Sequence, residues 1–101
     1  MILEVAVLNV RSGEEAAFEK ALHTASPLIS STPGYISHEL RRCLETKGRY
    51  LLLVQWKTLE AHTIRFRQSP AFQQWGQQLH HFYDPAPVVE HYEGVLAFLG
   101  K

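Results

Sequence analysis

The stretch "LLLVQWKTLEAHTIRFRQSPAFQQW", Leu51 to Trp75, decides the fold. Its beginning extends back through Arg49 and Tyr50 into a continuous apolar strand, "RYLLLVQW", of the kind that lies centrally in a sheet with both faces covered. Thr58 is placed to cap a short helix from Leu59 to about Phe66. Ser69-Pro70 then restarts the helix, with serine as cap and proline at the first helical position, where its missing donor costs nothing. Phe72, Trp75, Leu79 and Phe82 recur at helical spacing, so this second helix buries one face.

Upstream, "YISHELRRCLE" alternates polar and apolar types, and "TKG" turns it into "RYLLLVQW", which predicts an antiparallel hairpin. Cys43 reads as a small hydrophobe on that strand. Pro33-Gly34 marks a stop before it. The preceding helix is predicted from a Ser12/Glu15 capping box. Phe18, Leu22, Ala25 and Ile29 form its buried stripe, and Pro27 is expected to kink or shorten it. "ILEVAVLNV" is a first strand, and "VVEHYEGVLAF" a last one with Gly94 as a bulge or bend. The order is therefore β-α-β-β-α-β, a ferredoxin-like α+β fold with one antiparallel sheet and both helices on one face. Strands two to four carry apolar residues on both sides, so the open face is expected to pack on that of a second copy.

The 101 residues suit one domain, 1–101. Ten Lys and Arg balance ten Asp and Glu, which argues against the cationic field that nucleic acid or an anionic membrane would require. One cysteine excludes an internal disulfide, and no apolar run approaches the ~20 residues that span a bilayer, so a cytoplasmic protein is expected. His80 and His81 are adjacent on a helix and point about 100° apart; with no H-x-x-x-H or C-x-x-C pair, no metal site is expected. Neither a phosphate-binding glycine loop nor a Ser-His-Asp order is legible.

The strand "YLLLVQW" followed by "LEAH" and "SPAFQQW", with "SGEEAAFEKAL", "PGY" and "VEHY" around it, resembles the antibiotic biosynthesis monooxygenase family of dimeric α+β barrels over nearly the whole chain. The family includes cofactor-free oxygenases of quinols and polyketide phenols, haem-degrading enzymes and proteins without demonstrated activity. The haem-degrading pattern places a tryptophan three residues before the restarting serine and a histidine seven after it. Counted from Ser69, those positions hold Phe66 and Gly76, and Asn9 lies nearer the turn than the pattern's asparagine, so haem degradation is disfavoured. The histidine that many quinol-oxidising relatives carry shortly before Ser-Pro is replaced by Arg65-Phe66, while His62 remains.

What the resemblance implies is a homodimeric monooxygenase without cofactor, acting on a small phenolic or quinol-type aromatic. Ground-state oxygen reacts without metal or flavin only with a substrate that can supply an electron, so such a site needs a base, a group to hold the phenolate, and a dry aromatic slot. His62 is the expected base, its imidazole changing charge near neutrality. Arg65 or Arg42 would hold the anion; Arg65 follows His62 by three residues on the same helical face. Tyr50, Trp56, Phe66, Phe72, Trp75 and His91 would line the pocket. The alternative is a non-catalytic small-ligand-binding or structural dimer in which these aromatics serve only as core.

Overall fold

A computed structural model describes residues 1–100; residue 101 of the expected 1–101 domain lies outside the described residues. The chain runs β1 (Ile2–Asn9), α1 (Glu15–Ser30), β2 (Tyr35–Arg42), β3 (Arg49–Trp56), a π-helical turn (Ala61–Phe66), α2 (Pro70–Leu79), a 3-10 turn (His80–Phe82) and β4 (Val88–Glu93). The four strands form one antiparallel sheet in the order β2-β3-β1-β4. This is the ferredoxin-like α+β fold, with the apolar strand β3 inside the sheet.

Alternation along each strand sorts the sheet into two faces. Glu4, Ala6 and Leu8 of β1, and Tyr50, Leu52, Val54 and Trp56 of β3, are buried beneath the helices with Phe18, Leu22, Ala25 and Ile29 of α1. The other face presents Leu3, Val5 and Val7 beside Leu51, Leu53 and Gln55, with Val88 and Tyr92 at the β4 edge, all half-buried or exposed.

Four local expectations are corrected. The Ser12/Glu15 capping box does not form: Ser12 is taken up by the tight turn Arg11–Glu14 with Gly13 at φ 86°, and Glu14 occupies the cap position without a side-chain bond. Pro27 does not shorten α1, which runs on to Ser30 with the proline three residues before its end. Cys43 lies beyond β2 rather than within it, its Sγ accepting from the Thr46 amide in the β2-β3 turn. The last strand ends at Glu93, and Gly94 is where the chain leaves the sheet rather than a bend within it; Val95, Leu96, Phe98 and Leu99 are exposed.

Gly34 fixes how the π-helical turn sits. Its φ is 93°, its carbonyl accepts from the Lys57 amide at 2.8 Å, and a Cβ there would stand 2.6 Å from Ala61 Cβ. Ala61 is fully buried and immediately precedes His62. Gly34→Ala is expected to lower unfolding free energy by about 1–3 kcal/mol, through backbone strain and displacement of Ala61. Urea denaturation checks this; a variant as stable as the parent would show that the turn shifts freely.

Candidate functional site

The site is built where β1, β4 and the π-helical turn meet. Glu4 of β1 is paired in register with His91 of β4. Thr58 caps the π-helical turn, its Oγ1 accepting from the Ala61 amide at 3.2 Å. Within the turn the Arg67 amide reaches the His62 carbonyl five residues back at 3.1 Å. That wider repeat buries His62 and Phe66 together and turns Arg65 outward, so His62 and Arg65 do not share a face. Ser69 and Pro70 begin α2 as expected, Ser69 Oγ accepting from the Phe72 amide at 3.2 Å.

Glu4 and His62 are 5% and 3% exposed. Trp56 Nε1 donates to Glu4 Oε1 at 3.0 Å, His62 Nε2 lies 3.4 Å from that oxygen, and His62 Nδ1 lies 2.7 Å from His91 Nε2. The His62 ring stacks on Trp56 with centroids 5.2 Å apart and planes 18° apart. Phe66 carries the aromatic wall onward, edge-on to Phe72 at 5.3 Å and Trp75 at 5.8 Å.

Burial raises the Glu4 carboxyl above its ordinary value, against the lowering effects of the Trp56 hydrogen bond and the Arg67 charge. Burial, then the charges of Arg67 and His91, push His62 down to about 3. His91 is lowered by burial and by Arg67. At neutral pH His62 is therefore a neutral imidazole beside a buried carboxyl group. Each of its nitrogens faces another protein atom rather than a common centre, and among the described residues no three His, Cys, Asp or Glu could hold a metal ion.

These groups border a cavity of about 100 Å³ lined by Glu4, His62, Phe66, Arg67, Phe72 and Trp75, with His80 and Tyr83 on its far side. Of the residues expected at the site, the fold brings together His62, Trp56, Phe66, Phe72, Trp75 and His91; Trp56 backs His62, and His91 touches His62 without lining the cavity. Arg65 is not among the lining residues and is exposed; Arg67 is the cation here. Tyr50 is also absent, because it begins β3 and Trp56 ends it, about 20 Å away at ~3.3 Å per residue. Tyr50 instead donates to Glu19 at 2.6 Å, alongside Arg42 at 2.7 Å. That trio borders a separate, wide, solvent-open depression of about 570 Å³. Glu4 was not singled out in the sequence. Its only signal was an acidic residue at an inward position of an apolar strand.

The family model for antibiotic biosynthesis monooxygenases matches residues 1–78. The uncharacterized protein YczJ of Bacillus subtilis (strain 168) is 48% identical over 95 residues, covering 94% of this chain and all of that protein. A Bordetella bronchiseptica structure carrying the same family name superposes with a TM-score of 0.91 at 37% identity, covering 94% of this chain and 97% of its own. SnoaB, a cofactor-independent oxygenase from Streptomyces nogalater, shares the fold with a TM-score of 0.82 at 19% identity, over 95% of this chain and 94% of its own. By the family match and these identities, the chain belongs to the antibiotic biosynthesis monooxygenase family.

Proposed function

We propose that this protein is a cofactor-independent monooxygenase of a small phenolic or quinol-type aromatic, working as a homodimer. The observation that carries the reading is a buried carboxylate, bonded to Trp56 and 3.4 Å from a buried neutral imidazole, at an apolar, aromatic-walled cavity. Such a carboxylate, made more basic by burial, is suited to take a phenolic proton. In this reading Glu4 is the base, His62 orients and supports it, and Arg67 at the cavity rim holds the phenolate in place of the expected Arg65. The phenolate passes one electron to oxygen, the resulting aryloxyl radical and superoxide combine at a ring carbon into a peroxide anion, and the proton taken up by Glu4 returns to make the hydroperoxide. Loss of water, made from the ring C–H hydrogen and the outer O–H of the hydroperoxide, leaves the quinone with the other atom of O2 as its new carbonyl. The fold shared with SnoaB supports this chemistry; the cavity supports a ring no larger than a small phenol.

The dimer reading rests on the open sheet face. Leu3, Val5, Val7, Leu51 and Leu53 form an apolar field, and Val5 and Leu53 are cross-strand partners near its centre. Val5→Asp would bury an unpaired charge in the contact. It is expected to convert the dimer to monomer in size-exclusion chromatography with light scattering; an unchanged mass would place the contact elsewhere.

A non-catalytic ligand-binding dimer is the second reading, favoured by the cavity volume, which is well below the ~300 Å³ of ordinary ligand sites. Oxygen consumption by metal-free protein against a panel of hydroquinones and anthrone-like phenols decides between them. Uptake above the uncatalysed rate, lost in His62→Ala, supports the oxygenase. Thermal stabilisation by the same compounds without uptake supports the binder.

A further inference from the structure

Beyond the cavity wall the polar groups continue in single file. Glu4 and His62 have almost no contact with solvent, whereas His91, on the edge strand β4, is half-buried. The donor and acceptor capacities of these groups set where the wire places each proton. Glu4 Oε1 accepts from Trp56, and His62 Nε2 lies 3.4 Å from the same oxygen; a carboxylate oxygen cannot donate, so the wire places the His62 proton on Nε2. A neutral imidazole has one N–H, which leaves His62 Nδ1 as an acceptor for His91 Nε2–H. His91 Nδ1 is then the unprotonated end of the file.

We propose that Glu4, His62 and His91 are a proton wire, through which the buried carboxylate exchanges protons with solvent while the cavity stays closed. This rests on Glu4 being the base of the reaction. Loading begins when a solvent proton binds His91 Nδ1. The His91 Nε2–H bond breaks as a new N–H forms at His62 Nδ1, and the His62 Nε2–H bond breaks as an O–H forms at Glu4 Oε1. One proton is gained, the carboxylate becomes a neutral acid, and both imidazoles end neutral with inverted tautomers. Trp56 keeps its bond to Glu4 throughout. Unloading is the reverse, and no electron is transferred.

The surroundings favour a shift of this kind over a stepwise one. Arg67 faces the cluster from beyond the π-helical turn, and His80 and Tyr83 stand across the cavity. On β4 itself Glu93 follows His91 on the same face, while Glu90 and Tyr92 alternate to the opposite one. A discrete imidazolium at His62 would be buried beside the Arg67 charge, and burial with that charge holds His62 well below its ordinary value. A relay in which His62 gains one proton as it loses the other avoids that state.

The test is ¹⁵N NMR of the histidine rings in the full chain, with the Glu4 carboxyl carbon followed in parallel from pH 8 downward. Both rings are expected as Nε2–H at pH 8 and as Nδ1–H once Glu4 is protonated, the three signals changing with one midpoint. In His91→Gln the amide still donates to His62 Nδ1 but passes no proton, so His62 should stay Nε2–H while Glu4 titrates. Nδ1–H on His62 at pH 8, a fixed tautomer through the Glu4 titration, or imidazolium at His62 in step with it would each overturn the wire. These readings need no substrate, so absence of oxygen uptake defeats the oxygenase reading alone. Where uptake is found, His91→Gln is expected to lower the rate at low buffer concentration by at least about tenfold, within the range for positioned proton transfer; an equal rate would overturn the wire's part in turnover.

Discussion

Glu4→Gln is expected to lower oxygen uptake by about 10²–10⁴-fold, the usual contribution of a positioned general base. The fold is expected to survive. Glutamine keeps an oxygen in place to accept from Trp56, and the exchange removes a charge from a residue that is 5% exposed. Desolvating that charge is costly, so the variant's melting temperature should equal or exceed the parent's. Loss of uptake with unchanged or raised melting temperature therefore assigns Glu4 to chemistry rather than architecture. Full activity in the variant would remove Glu4 from the reaction and return the role of base to His62.

Acidification is expected to unfold the protein through His62. In the folded chain this ring is held down to about 3, against 6.5 as its ordinary value, so it binds a proton far less readily than in the unfolded chain. Between those values the unfolded state holds the extra proton, and stability falls as pH falls from about 6.5 toward 3, by on the order of 4 kcal/mol in all. Glu4 acts in the opposite sense. Its folded value is raised, so protonation favours the folded chain as pH falls through the window just above 4.5 and partly offsets His62 there. His91 and His38, both lowered by burial, add to the loss below 6.5. Urea denaturation of the parent and of His62→Gln across pH 7 to 4 separates these effects, because the difference between the two curves isolates His62. Equal slopes would mean that His62 titrates in the fold as freely as in the unfolded chain.

The two corrections that matter most at the site have one origin. Arg65 was expected beside His62 because three residues bring side chains to one face of an ordinary helix. The turn is π-helical, and its wider repeat exchanges Arg65 for Arg67. Nothing in "AHTIRF" announces that repeat; it arises where Gly34 lets Ala61 press against the start of β2. Tyr50 was placed in the pocket by its chemistry alone, and strand length carries it to the other end of the sheet. Glu4 carries no distinguishing local signal, since an acidic residue at the start of a strand is ordinarily solvated. Only the cross-strand register with His91 and the overlying His62 make it a buried partner.

The order of elements was legible in the residues because it depends on local periodicity. "RYLLLVQW" has the strand alternation, Phe72, Trp75 and Leu79 the helical one, and Ser69-Pro70 the chemistry of a helix start. These signals reside within a few neighbouring residues, and together with the family motifs they determined the ferredoxin-like fold and the aromatic composition of the wall. The tertiary structure decided the rest: which charged groups meet, which nitrogen faces which oxygen, and how strongly each is removed from water. Those properties depend on residues far apart in the chain, 52 positions in the Trp56 to Glu4 bond and more in the register of Glu4 with His91, and on a dielectric environment that no single segment possesses before the helices close over the sheet.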